Sequence, residues 1–215
     1  MPRILTTGED TYRQLRRLVI QGQFNAGQRL VEADLVEALQ VPRMAVRQAL
    51  GRLEHEGLLE KRAGSSATVR QVSLEELEEI IDARIALESL AIRRAAEIGD
   101  PAVLNGLNAT LQEMERAASL PDIPTFVDVQ AQLHHLLLNA SGLQVVPRLI
   151  ESLAALSAQT RVRTVLIPNR IRSSLAEHRE IVGALARGDA DAAEAAVRTH
   201  LANVRLAIHQ SMQPR

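Results

Sequence analysis

From Ser73 onward the chain offers helix-period apolar patterns and nothing else, interrupted only by short breaks at proline, glycine or aspartate. An amphipathic stripe has to be covered by another element. With no strand pattern in residues 73–215, the stripes must cover one another. Ser73 with Glu76 makes a capping box that opens a long helix through about Glu97. Further helix starts stand at Asp100-Pro101, Pro124 and Asp189, and stops at Ser141-Gly142, Ile167-Pro168 and Gly188. Six helices are predicted, over roughly 74–98, 101–118, 124–140, 144–166, 171–186 and 190–211. This part of the chain is expected to be an all-α bundle.

The first 72 residues are patterned differently. "DTYRQLRRLVIQGQF" sets Tyr12, Leu15, Leu18 and Val19 at helical spacing and stops at Gly22. "NAGQRL" reads as a turn, and "VEADLVEAL" as a short helix with Leu35, Val36 and Leu39 inward and its acids outward. "GLLEKR", "AGSS" and "ATVRQV" read as two strands joined by a turn at Gly64. The domains are therefore expected at 1–72 and 73–215. Charge divides at the same place: residues 1–72 hold 11 Lys/Arg against 8 Asp/Glu, and residues 73–215 hold 14 against 18, although the whole chain nets only −1. Such asymmetry implies two domains with different partners. The absence of cysteine excludes disulfides and thiolate metal sites and fits a reducing cytoplasm. No run approaches the roughly 18 apolar residues of a membrane span, so no membrane partner is expected.

Between those elements lies "VPRMAVRQALGRLEHEGLLE". On a wheel of about 100° per residue, Val46, Ala49, Leu50 and Leu53 gather on one side. Arg43, Met44, Arg47 and Gln48 are left at the exposed front, with Arg52 further along the same helix. Insertion into a DNA major groove needs a short helix, a tight turn and a second helix with cationic and amide groups at its N-terminal end. A guanidinium fork pairs with guanine or phosphate, and a glutamine amide with adenine. The hairpin, with Lys61, Arg62 and Arg70, would be a wing near the adjoining phosphates.

The stretch from Tyr12 to about Val72 resembles the winged helix-turn-helix of GntR-family bacterial regulators. The "GQRLVEADL", "VPRMAVRQAL" and "RLEHEGL" pieces carry that resemblance. It implies DNA contacts by Arg43 and Arg47 and a wing tip at Gly64. Three departures stand out. The family has Ser before the first arginine and Thr-Pro after it, where this chain has Pro42 and Met44-Ala45; and Ala33 stands where some relatives carry an arginine. Proline can still open a helix, so these bear on which operator is read more than on whether DNA is bound.

In the helical part the informative residues are those that break the apolar stripes. On its wheel His134 lies with Val127, Gln130, Ala131, Leu137 and Leu138; His178 with Leu175, Ile181, Val182 and Leu185; His200 with Ala193, Ala196, Val197, Val204 and Ala207. A lone inward histidine is more often a hydrogen-bonded core residue than a ligand. Three from separate helices are a familiar way to build a divalent-metal site. Arg84 lies within the stripe of Leu77, Ile80, Ile81, Leu87 and Ala91, with Glu88 one turn on as its structural partner. The alternative is an anionic ligand held by the same guanidinium. His55, His135 and His209 read as surface, and Glu88 is the one carboxylate expected beside the inward histidines.

"ARIALESLAIRRAA", "QLHHLLLNASG" and "LAEHREIVGALARGDADAAEAAVRTHL" resemble the helical effector domain, FCD, of the FadR subfamily of GntR regulators. The resemblance implies a metal held by His134, His178 and His200 and a fourth ligand at position 130, where the family's aspartate is replaced by Gln130. Asp128 is about 160° from Gln130 around the helix and does not substitute for it. A neutral amide oxygen is the weaker donor, so the cation, zinc, nickel or similar, would be held less tightly. Arg84 matches an effector-binding arginine, with Thr160 and Arg163 as further lining residues. The expected protein is a homodimeric, metabolite-responsive repressor of a double-stranded DNA operator, with a small carboxylate or sugar acid as effector. The alternatives are a regulator with a metal-free structural pocket and a helical metal-dependent hydrolase, the latter opposed by the lack of a second nearby carboxylate to act as base.

Overall fold

The computed structural model describes residues 8–61, 66–120, 122–156 and 164–212. It separates into two compact units, with the main division between Ser73 and Leu74. The first contains α1 (Gly8–Ile20), β1 (Arg29–Val31), α2 (Glu32–Leu39), α3 (Arg43–His55), β2 (Leu59–Lys61) and β3 (Ser66–Val69). The three strands form one antiparallel sheet in the order β1-β3-β2, with Arg29 opposite Thr68 and Leu59 opposite Val69.

Two local expectations are corrected here. Residues 29–31, read as turn and helix start, are a strand whose pairing partner arrives only at residues 66–68. Three residues carry no period of their own, so only the distant partner makes them a strand. The acids of α2 do not all face outward either: Glu32 is buried beneath arginines of α3. The apolar faces are otherwise as the periodicity requires. Leu15 and Val19 of α1, Leu35 of α2, and Val46, Ala49, Leu50 and Leu53 of α3 close on Leu30, Leu59 and Val69 of the sheet. Burying each large aliphatic side chain contributes about 1.5–3 kcal/mol, which fixes the outward face of α3 by fixing its inward one. Pro42 begins α3 without a side-chain cap, its carbonyl accepting the amide of Ala45 at 2.9 Å.

After Ser73 come six helices among the described residues: α4 (Leu74–Ile98), α5 (Pro101–Ala118), α6 (Ile123–Asn139), α7 (Val146–Leu156), α8 (Arg170–Ala186) and α9 (Ala190–Met212). Side-chain caps set several starts. Asp100 accepts the Ala102 amide at 2.8 Å ahead of Pro101, Asp122 accepts the Thr125 amide at 3.2 Å, and Asp189 accepts the Ala192 amide at 3.0 Å. The expected helix over 144–166 begins at Val146, and residues 157–163 within it lie outside the described residues. Helix α4 packs along α9, α9 along α8, and α5 against both α6 and α8. Ile92, Leu107, Met114, Phe126, Leu133, Ile181, Val197 and Leu201 fill the space between them. No described helix is long and apolar enough to cross a membrane.

Candidate functional site

The packing of α3 leaves Arg43, Met44, Arg47, Gln48 and Arg52 exposed, Met44 by 60% although it is apolar. Arg43 and Arg47 both donate to Glu32, at 3.2 Å. Arg52 turns the other way. It donates to Glu9 at 2.5 Å and its guanidinium lies 3.5 Å from the centre of the Tyr12 ring, which ties α3 to α1. Gly64 lies outside the described residues.

In the helical unit, α6, α8 and α9 bring His134, His178 and His200 together. Their ring centres are 4.6–5.3 Å apart, and one nitrogen of each lies within 4.8 Å of the others. His178 and His200 are buried, while His134 is half-buried. The face assumed for α6 needs correction: Ala131 is exposed, and the inward line runs Phe126, Gln130, Leu133, Leu137, with His134 on its flank. The apolar residues at spacings of four and three, rather than His134 itself, set the axis of that face.

Hydrogen bonds settle how the rings are presented. His178 Nδ1 lies 2.6 Å from the carbonyl oxygen of Ser174, which can only accept, so Nδ1 carries the proton and Nε2 a lone pair. His200 Nδ1 lies 2.7 Å from Oε2 of Glu177, and the same reasoning leaves its Nε2 a lone pair. His178 Nε2 is 2.9 Å from His134 Nε2. Burial pushes the His178 imidazole down to about 4. His200 is likewise held well below its ordinary value, by burial first and then by the charges of His178, Arg170 and Arg84. Both rings are therefore neutral near pH 7, the form that donates to a cation.

Gln130 reaches Ser174, the residue that also holds His178. Its amide Nε2 donates to Ser174 Oγ at 3.0 Å, leaving a buried Oε1 without a hydrogen-bond partner. Such an orphaned acceptor costs about 1–3 kcal/mol unless something else occupies it. Arg84 is buried and donates through Nε to Glu88 Oε1 at 2.7 Å, so the expected structural partner is in place. Thr160 and Arg163 lie outside the described residues. His55 and His135 are exposed, whereas His209 is half-buried and pairs with Glu78 at 2.5 Å.

Glu88 is not the only carboxylate near the histidines, contrary to expectation. Glu177, largely buried, receives the Arg170 fork at 3.1 Å on each oxygen, His200 Nδ1 at 2.7 Å and Asn203 Nδ2 at 2.9 Å. The available signal was Arg170, seven residues earlier on the same face of α8. Four donors occupy Glu177, so it orients His200 and is no free base.

The FCD domain pattern matches residues 79–203, more than half of the chain. The pattern of the bacterial regulatory proteins of the gntR family matches residues 7–69. The chain belongs to the GntR family and carries an FCD domain. Among its relatives is the HTH-type transcriptional repressor RspR of Escherichia coli K12, 26% identical over 205 residues that span 95% of this chain and 90% of that one. Another is the HTH-type regulator YdhC of Bacillus subtilis 168, 27% identical over 190 residues, 88% of this chain and 85% of that one. The structure of E. coli McbR/YncC shares the fold, with a TM-score of 0.87 at 21% identity over 96% of this chain and 98% of that one. RspR and YdhC are named as transcriptional regulators, and with membership of a family of bacterial regulatory proteins this removes the hydrolase reading.

Proposed function

We propose that this GntR regulator is a homodimeric repressor of the FadR type, acting in the cytoplasm, whose hold on a palindromic operator is set by a small organic acid bound among His134, His178, His200 and Gln130. Arg43, Met44, Arg47 and Gln48 read the major groove, with Arg52 at the edge of the contact and Gly64 at the wing tip. A single recognition helix reads few base pairs, so two related by a two-fold axis are needed for useful specificity.

The observation that carries the sensing half is the buried, partnerless Oε1 of Gln130, a side chain that meets Ser174 as His178 does, together with two imidazoles whose protonated Nδ1 atoms are already committed. Three ring nitrogens and a carbonyl oxygen are a donor set for a divalent first-row cation, zinc, nickel or similar. When bound, that ion supplies a Lewis-acidic anchor for a carboxylate. Ser174 and Glu177 fix the orientation of His178 and His200, and Gln130 offers oxygen without charge. Arg84, engaged by Glu88 through Nε, presents its terminal nitrogens to the acid's carboxylate, with Thr160 and Arg163 as further lining. Effector and operator then influence each other reciprocally through one coupling free energy.

A metal-free pocket is the second reading, favoured by one observation: His134 and His178 can satisfy each other by a 2.9 Å hydrogen bond. Metal analysis of purified wild-type and His178→Ala chains, joined to a thermal-shift screen of small carboxylates and sugar acids, separates the two. The proposal expects stoichiometric metal lost in the variant and stabilisation by small acids; a wild-type chain without metal, unable to take it up, leaves the second reading.

A further inference from the structure

Glu32 is the first residue of α2, and only 6% of it is exposed. Carboxylates are almost never buried so deeply unless paired. Its partners come from the next helix. Arg47 donates through Nε to Oε1 and through Nη2 to Oε2, and Arg43 through Nε to Oε2, each at 3.2 Å. The two arginine side chains are themselves 62% and 58% exposed. Both guanidinium groups are thus gripped on their inner Nε side while their outer edges face solvent, one helical turn apart. Arg47 first, then Arg43, hold the Glu32 carboxyl below the usual carboxylate range, so it is an anion at neutral pH.

We infer that Glu32 is a positioning residue for operator recognition: its buried carboxylate docks Arg43 and Arg47 in advance, so that they meet the groove as an aimed pair rather than as two free chains. This rests on the reading of those arginines as operator contacts. An unrestrained arginine samples many rotamers, and part of that freedom is lost when its fork engages a base. Docking on Glu32 moves that loss from binding to folding. The same carboxylate offsets positive charge at the interface, which weakens indiscriminate attraction to phosphates. Both effects raise the ratio of specific to non-specific binding, and neither requires Glu32 to touch DNA.

The test uses the full chain, a duplex selected by the wild-type protein from a random-sequence library, and a scrambled duplex of the same length. Glu32→Gln keeps the size and removes the charge. Its expected result is a fall of about tenfold in the ratio of selected to scrambled affinity, with the scrambled duplex bound as well as before or better and with a steeper salt dependence. A Gln variant that only loosens the fold lowers both affinities together and leaves the ratio unchanged, which overturns the inference. Glu32→Asp, which keeps the charge on a shorter arm, recovers part of the ratio. In an Arg43→Ala/Arg47→Ala background, Glu32→Gln is expected to have no further effect on it. Arg47→Ala alone separates the two claims: undiminished affinity for the selected duplex sinks the contact reading itself, while weakened affinity beside an unchanged Glu32→Gln ratio sinks only the positioning role.

Discussion

On α3 the charged groups stand outside a packed apolar face, and a buried acid, Glu32, pairs with Arg43 and Arg47 from behind. In the helical unit the arrangement is inverted. Neutral imidazoles are drawn into the packed interior, and the charged groups beside them, Arg84 with Glu88 and Arg170 with Glu177, are paired at 2.7 and 3.1 Å. An exposed cation keeps its hydration and acts at a distance that salt controls. A buried imidazole has lost water already, so its protonation and ligation are set by the few atoms around it. One region is suited to meeting a polyanion, the other to recognising a small ligand.

If that contrast is right, perturbing the buried region should cost most. Replacing Arg84 by methionine strands the Glu88 charge and is expected to destabilise the helical unit by about 3–5 kcal/mol in urea unfolding, with Arg84→Met/Glu88→Leu recovering most of the loss. An unchanged urea midpoint for the single variant would mean that this pair is not buried as described. Acid comes next. In metal-free protein the folded state keeps His178 neutral down to about 4, while the unfolded chain takes up the proton near 6.5. The unfolded state binds more protons between those values, so stability is full above pH 6.5 and falls as pH drops toward 4, by up to about 3 kcal/mol from this group. His200 acts in the same direction. Stability that stays level from pH 7 to 4.5 would contradict neutral burial.

Smaller effects are expected where the groups meet solvent or act through another residue. Arg47→Ala should cost about 1–3 kcal/mol of affinity for a selected duplex and reduce the salt slope by about one, measured by titration at several ionic strengths. An equal loss on selected and scrambled DNA would show that the arginine grips phosphate without reading bases. Glu177→Gln should weaken zinc binding about tenfold in a chelator competition while leaving the helix content intact, because it only loosens the orientation of His200. Unaltered affinity would make Glu177 a partner of Arg170 alone.

Helix positions were legible because each helix carries its own signature: an apolar period, a cap such as Asp100 or Asp189, and a break. The inward placement of His178 and His200 followed from the same period. What escaped were relations between elements. β1 is three residues whose partner lies across the sheet at 66–68. The buried line of α6 is centred on Leu133 rather than on His134, a rotation that only its neighbours decide. Glu177 was passed over because it flanks the apolar stripe, and nothing local announces that α9 will bring His200 and Asn203 to it.

Sequence alone determined which faces of these helices are apolar and which polar groups interrupt them, because those properties depend on residues three and four apart on one rod. Only the tertiary structure decided that Glu32 lies under two arginines, that three imidazoles from separate helices meet, and that the buried Gln130 oxygen has no partner. Each of those depends on the distance between side chains of different helices, which packing sets and no single periodicity contains.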